Sequence, residues 1–380
     1  MSNGNLDSNI NTHPIAFRVA TYNVALYGQH EGELIHRLKT NDGNAHAIAA
    51  VLQRVRPDVV LLNEFDYDPL HQAADLFQRQ YLEKPQPLGG TALHYPYRYL
   101  APVNAGVDSG LDLDLDGKIK GPGDAWGYGL YPGQYGMLIL SRHPIDIENI
   151  RSFQNFRWSL MPHARSPIDP TTGHDTYPDA IWEQLRLSSK SHWDVPIRIS
   201  GETVHLLASH PTPPVFDGLE RRNHVRNRDE ILFWRDYLTP DGKQSWLCDD
   251  QNRCGGLEAS KRFVILGDLN NDPVNGAGDH SAIIELLEHY RVMRYPTPRS
   301  MGSAEASQRY IAEGMTHRGS PEHATSDFGS NVGTLRLDYV LPSSGFRFLG
   351  SGVFWPTSDR PEAAIAAASD HRLVWVDLIP

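Results

Sequence analysis

RFVILGDLN, residues 262–270, is an apolar run that breaks into a polar turn. Phe263, Val264, Ile265 and Leu266 suit a strand buried on both faces. If strand geometry continues, Asp268 and Asn270 project from one face, because alternate residues of a strand share a side. A carboxylate there can orient or deprotonate a water molecule. The amide beside it can hold the same water or a phosphate oxygen. Glycine, aspartate and asparagine also build ordinary turns, so this stretch alone leaves both readings open.

Working outward, the same design recurs. Residues 15–23, IAFRVATYN, alternate apolar and polar positions as a half-buried strand does. Ile48, Val51, Leu52 and Val55 recur at helical spacing, and Pro57 ends that helix. DVVLLNEF (58–65), YGMLILSR (135–142), ETVHLLASH (202–210), LRLDYVLPS (335–343) and HRLVWVDLI (371–379) read as further strands. Residues 219–238 and 281–290 read as helices, and 83–133 as a loop region rich in Pro and Gly. Polar residues fall at or beside these strands: Asn23, Glu64, His210, Asp268, Asn270, Asp338, and Asp370 with His371. A packed sheet can gather such positions at one rim on rigid elements. Strands run from one end of the chain to the other. One domain over 15–380 is therefore expected, with 1–14 a disordered or loosely attached lead-in.

Each of these residues has a chemical and an ordinary reading. Glu64 and Asn23 are either solvated strand ends or hard oxygen ligands for Mg²⁺ or Mn²⁺. Asp338 sits inside an apolar strand, where an unpaired charge is costly, and a protonated His371 would relieve that cost. The Ser369-Asp370-His371 triplet joins a carboxylate to an imidazole, a pairing suited to metal binding and phosphoryl chemistry.

Taken in order, TYN, NE after an apolar strand, GMLILS, a strand-end His, GDLN, LDYV and SDH resemble the endonuclease/exonuclease/phosphatase superfamily. That group includes DNase I-like nucleases, inositol polyphosphate 5-phosphatases and neutral sphingomyelinases. The resemblance spans residues 15–378. It implies an α/β (α+β) fold, a four-layer sandwich of two mixed, mainly antiparallel β-sheets face to face, flanked by helices. It also implies roles. Asn23 and Glu64 would bind the metal, with Asp370 supporting it directly or through water. Asp268 would activate the attacking water, and Asn270 would position it. Asp338 would pair with His371. His210 would contact the phosphate or protonate the leaving oxygen. Asn63 stands before Glu64 where many members carry Gln, and Gln134, ahead of GMLILS, is a candidate substrate contact.

Two features lie outside this pattern. On the expected helix 219–238, Arg222 and Arg226, and Asn223 and Asn227, fall four apart and form a polar stripe. The arginines could grip a substrate anion through bidentate bonds, or face solvent beside Asp229 or Glu230. In DLDLDGKIKGPGD (112–124), Asp112, Asp114 and Asp116 precede Gly117 as in the first half of a calcium loop, with Asp124 near its end. No helix pair flanks it, so a structural Ca²⁺ site and a plain acidic turn both remain. Similar insertions mark a bacterial subgroup that this sequence resembles.

Composition limits the partners. With 40% apolar and 21% charged residues, the 380-residue chain has the makings of a packed core. Its net charge of −11 disfavours tight, sequence-independent nucleic-acid binding, which needs a basic surface. The first residues lack the basic and apolar segments of a signal peptide, and no apolar run reaches the ~18 residues of a membrane span. Cys248 and Cys254 could be free thiols, a disulfide or part of a zinc site. A disulfide leans toward a periplasmic or extracellular protein. The expectation is a monomeric, divalent-metal-dependent phosphoesterase that attacks a small or soluble phosphomonoester or phosphodiester in line with an activated water. A DNase I-like nuclease is the first rival. A sphingomyelinase-like lipid phosphodiesterase, suggested by the aromatic loop 126–135, is the second.

Overall fold

The computed structural model describes residues 15–239 and 244–380, so the expected loose lead-in at 1–14 lies outside the described residues. The chain opens with β1 (Phe17–Leu26), α1 (Glu33–Lys39), α2 (Gly43–Val55), β2 (Val59–Phe65) and α3 (Gln72–Leu76). Its middle adds β3 (Tyr97–Tyr99), β4 (Met137–Ser141), β5 (Arg151–Ser152), α4 (Asp179–Trp182), β6 (His192–Ile199), β7 (Glu202–Ser209) and α5 (Arg222–Leu238). After these come β8 (Arg262–Asp268), α6 (His280–Leu287), α7 (Met301–Ala312), β9 (Ser326–Asp327), β10 (Thr334–Leu335) and β11 (Asp338–Pro342). The chain closes with β12 (Arg347–Val353), α8 (Ala363–Ala366) and β13 (Val374–Ile379).

Two large sheets result, ordered β12-β13-β1-β2-β4-β3 and β11-β8-β7-β6-β5, with β9 and β10 pairing separately. Each contains one parallel pair, β1 with β2 and β7 with β8, and is otherwise antiparallel. Period-two alternation sorts the side chains. Phe17 and Val19 of β1, Val59 and Leu61 of β2, and Val264 and Leu266 of β8 meet between the sheets. The intervening Tyr22 and Val24, with Val60 and Leu62, face outward onto α1 and α2 through Leu34, Leu38, Ile48 and Leu52. Phe263 and Ile265 face the other way, onto Ile231, Trp234 and Ile283 of α5 and α6. The stack is thus helix, sheet, sheet, helix: the four-layer sandwich that the motif order implied.

Of the strands that escape the sequence pattern, β6 and β12 are the longest. β6 contains Pro196, which lacks the N–H of an inner strand. The structure tolerates it because β5 pairs only with Trp193 and Asp194, leaving the rest of that side of β6 without a strand. β12 carries Gly350 and Gly352, which weaken its apolar pattern, and lies at the edge of its sheet. The expected helix 219–238 starts at Arg222, where the Asp217 carboxylate receives the amides of Asn223 and His224. Cys248 and Cys254 are joined in a disulfide, which settles the choice among thiols, zinc and bridge. Among the described residues, no helix is long and apolar enough to cross a membrane.

The strand that carries Asp268 also carries a backbone constraint. Gly267 has φ 149°, and a Cβ there would lie 2.1 Å from the carbonyl oxygen of Ser209 on β7. Only glycine lets the two strands approach this closely. Gly267→Ala is expected to lower unfolding free energy by about 2 kcal/mol. Chemical denaturation of the variant beside the parent checks this, and an unchanged midpoint would refute it.

Candidate active site

Asp268 ends β8 and is 1% exposed. Its Oδ1 accepts the Asn270 amide at 2.9 Å. Its Oδ2 accepts Asn23 Nδ2 at 3.0 Å and faces His210 Nε2 at 3.4 Å and His371 Nε2 at 3.6 Å. Burial by itself would raise the pKa of this carboxyl. The His371 charge and the His210 hydrogen bond outweigh burial and hold it far below the usual carboxylate range. Asp268 is therefore ionised and fixed in direction.

Behind it lies an ion pair. His371 Nδ1 donates to Asp338 Oδ2 at 2.8 Å, and the Thr325 hydroxyl donates to the same oxygen at 2.7 Å. Burial disfavours the imidazolium, but the charges of Asp338 and Asp268 overcome it and raise the His371 pKa to about 10. Asp268, Asp338 and His371 lie close enough to surround an ion. With the imidazole protonated, Asp338 and His371 form an ion pair, and a cation held by the trio would have to compete with that proton. His210 behaves oppositely. Burial, then the Lys190 charge, push its pKa below the ordinary imidazole value, and its Nδ1 is buried without a partner. One imidazole is thus cationic and the other neutral on either side of one carboxylate.

Glu64 and Asn270 adopt φ 57° and 52°, the left-handed region that non-glycine residues seldom occupy. Each costs on the order of 1 kcal/mol, and such strain gathers at functional sites. Glu64 Oε1 accepts Asn23 Nδ2 at 3.0 Å, and Asn270 Nδ2 donates to the Pro211 carbonyl at 3.0 Å. Asn23, expected to ligate a cation, differs from that expectation. Its amide nitrogen bridges Glu64 and Asp268, while its oxygen accepts the Ala25 amide at 3.3 Å. Asn63 joins the two sheets: Oδ1 accepts the Asp268 amide at 3.2 Å and Nδ2 donates to Ser209 O at 3.3 Å. The Ser369 hydroxyl donates to Asn23 O at 2.8 Å and receives the His371 amide, which fixes the turn that presents Asp370.

Glu64 and Asp370 open onto a cavity of about 730 Å³, within the usual range for ligand pockets. Arg222, Asn223 and Arg226 line the same cavity. Two expected substrate contacts do not. Gln134 is fully buried, its amide donating to Gly28 O and accepting from Leu130 N. Asn227 is also fully buried and holds the carbonyls of Thr212 and Leu269. Their polar groups are spent on backbone, so both are corrected to structural residues. In the acidic loop, carboxylate oxygens of Asp112, Asp114 and Asp116 lie within 4.8 Å of one another. Asp124 is not part of that group, because its oxygens receive the amides of Leu113 and Lys120.

Sequence reasoning missed Lys190. It is 7% exposed, lines the cavity with Glu64 and Asp370, and among the described residues makes no ion pair. Lysine in a serine-rich stretch ordinarily reads as surface, and only the packing of residues 104–127 over it shows otherwise. Its carbonyl accepts the Asn104 amide, and that of Ser189 presses against Gly127. Tyr135, from the aromatic loop 126–135, lines the cavity against Tyr27, ring centroids 4.6 Å apart, and of the two only Tyr27 was unforeseen.

The sequence profile of the Endonuclease/Exonuclease/phosphatase family matches residues 20–371. The chain belongs to this family. Its members are hydrolases of phosphoesters. No curated protein matches the sequence. Among solved structures, an endonuclease/exonuclease/phosphatase from Beutenbergia cavernae DSM 12333 is similar at 17% identity with TM-score 0.50, covering 96% of this chain and 71% of that one. A mannosyl-6-phosphatase from Bacteroides thetaiotaomicron VPI-5482 is similar at 16% identity and TM-score 0.46, covering 96% and 100%. Sphingomyelinase C from Streptomyces griseocarneus shows 16% identity and TM-score 0.43, covering 96% and 99%. Identities this low speak to fold and leave the substrate open.

Asp338 is what keeps His371 charged, so Asp338→Asn should let burial lower the titration midpoint of that ring. NMR of ring ¹⁵N-labelled, metal-free protein above about pH 7 reads imidazolium directly in the parent and a shift toward neutral imidazole in the variant. An unmoved midpoint would assign the charge to another group.

Proposed function

We propose that this protein is a divalent-metal-dependent phosphoesterase of a small or soluble substrate, acting by in-line attack of water. The observation that carries the reading is Asp268, ionised and held by Asn23, His210 and His371, with Glu64, which shares the Asn23 amide, lining the cavity. Phosphoryl transfer asks mainly for positioning and charge neutralisation. Asp268 orients the water, and Asn270 holds the turn behind it. His371, cationic, offsets the charge that develops on the phosphate. His210, neutral, contacts the phosphate as an N–H donor and stabilises the charge that develops there. Burial lowers the Lys190 pKa while Glu230, Glu64 and Asp268 oppose that shift, and its ammonium, when these carboxylates hold the proton, adds positive charge where little water screens it.

The donor set suits a hard cation. Glu64 and Asp370 offer carboxylate oxygens to one cavity, which fits Mg²⁺ or Mn²⁺ better than a soft metal. When bound there, the ion would supply charge neutralisation to the phosphate and polarise its oxygens. Asn23 would orient Glu64 through its amide. The Cys248–Cys254 disulfide supports an oxidising compartment.

The test is hydrolysis of p-nitrophenyl phosphate and bis-(p-nitrophenyl) phosphate by EDTA-stripped protein with Mg²⁺, Mn²⁺ or Ca²⁺ restored. Turnover is expected only with metal, and the preferred compound assigns mono- or diester chemistry. Asp268→Asn and Lys190→Met should each lower kcat/KM by about 10²–10⁴-fold. Absence of turnover with every metal would sink the general small-phosphate reading.

One observation favours a second reading. Phe216 borders the cavity at 90% exposure, and Leu219 nearby is 80% exposed. Such a rim suits a lipid phosphodiesterase. Hydrolysis of sphingomyelin in vesicles, reduced at least about tenfold by Phe216→Ser with soluble-substrate turnover retained, would support it. Unchanged vesicle activity would remove it.

A further inference from the structure

Glu64, Tyr135 and Phe216 line the cavity with φ 57°, 56° and 59°, a backbone conformation that side chains avoid. A bulky residue in the left-handed region is an outlier, and such strain collects where a ligand is held. Glu64 has a part as a candidate cation ligand, and Phe216 borders the cavity at its exposed rim. Tyr135 has no part yet in the chemistry. It packs on Tyr27, and Tyr128 lines the same cavity. Three phenols thus share a wall with Glu64.

A buried polar hub holds the Tyr27–Tyr135 pair in place. Asp66 accepts the Tyr135 amide at 3.2 Å, the Gly28 amide at 2.8 Å and the Tyr131 hydroxyl at 2.5 Å. On either side of Asp66, the Phe65 and Tyr67 amides donate to the Gly136 and Gly133 carbonyls. Gln134 donates to the Gly28 carbonyl at 2.8 Å. A Cβ on Gly28 would lie 2.7 Å from the Glu33 Cβ, so Glu33 packs directly on the chain beside Tyr27. The segments that carry both rings are thereby tied to the strand end that carries Glu64, with Asp66 as the positioning residue. Aromatic faces fixed in this way bind a ligand with little side-chain entropy to lose.

The two rings are half-buried, and among the described residues neither hydroxyl has a hydrogen-bond partner. Burial, then the Glu64 charge, raise the Tyr27 pKa. Burial, then Tyr27, then Glu64 push that of Tyr135 up to about 12. Both phenols therefore keep their protons at neutral pH and stand close to Glu64. An apolar chain laid on this wall would strip water from the hydroxyls and return nothing. A phosphate has no apolar face to offer the rings. A ring bearing several hydroxyls has both features: its C–H face packs on an aromatic face, and its hydroxyls pair with the phenols. We propose that the alcohol of the substrate ester is a cyclic polyol, a sugar or cyclitol ring, seated on Tyr27 and Tyr135 with its phosphate at Glu64. This inference rests on the phosphoesterase reading and names the leaving group which that reading left open. A cavity of about 730 Å³ accommodates a ring of this size with its phosphate.

Calorimetric titration of the full-length, EDTA-stripped protein tests this without requiring turnover. Glucose 6-phosphate and myo-inositol 1-phosphate serve as ring esters, and sorbitol 6-phosphate as the open-chain ester with the same number of carbons. The better ring ester is expected to bind at least about fivefold more tightly than the open-chain one. Tyr27→Leu and Tyr135→Leu, checked for an unchanged unfolding midpoint, should each shrink that ratio toward one. Tyr27→Phe, which keeps the ring face, should retain a preference. Equal affinities in the parent would overturn the inference, as would a ratio that survives both leucine substitutions. Binding of all three esters without preference would leave the phosphoesterase reading standing, whereas binding of none would count against both.

Discussion

A carboxylate that stays ionised inside a protein must be surrounded, and Asp268 is surrounded from both sheets. Asn23 of β1 and His371, just before β13, reach it from one sheet, and His210, just after β7, reaches it from the other. Asn63 of the first sheet takes the Asp268 backbone amide. The two layers therefore meet twice at one residue, through its side chain and its main chain. Packing of Val19, Leu61 and Ile139 against Val195, Leu206 and Val264 brings the sheets together. The polar contacts at the rim then specify how they register, since a buried charge tolerates little misplacement.

That arrangement divides the labour between two imidazoles that the sequence presents as equivalent. His371, between Asp338 and Asp268, carries a proton; His210 also faces Asp268, but burial first and the Lys190 charge second lower its pKa. Environments that push like groups apart are how one site obtains a positive charge and a neutral hydrogen-bonding imidazole at the same pH. The cavity repeats the division on a larger scale. Carboxylates gather where Glu64 and Asp370 stand, and cations gather where the insertion at 104–127 folds over α5.

Much of this architecture was legible in advance. β1, β2, β4, β7, β8, β11 and β13 follow from runs of Val, Ile and Leu with turn residues at their ends, because strands buried in a four-layer stack cannot afford polar interruptions. The residues clustered around Asp268 were visible as polar groups breaking those runs. β6 and β12 were not legible, since Pro196 and two glycines dilute the pattern that reports burial. Gln134 and Asn227 were misread for the opposite reason. Both lie beside functional segments, yet each satisfies buried carbonyls, a task invisible without knowing which backbone groups lose their partners.

By itself the sequence determined the layer order, the strand carrying each acidic group and the family, because hydrophobic period and local motif are properties of neighbours along the chain. Only the tertiary structure decided the rest. Whether an imidazole is charged, whether Asn23 turns its nitrogen or its oxygen to Glu64, and whether Lys190 is solvated or enclosed depend on groups tens to hundreds of residues away. Electrostatic free energy is set by distance and burial, and folding alone makes those distances short.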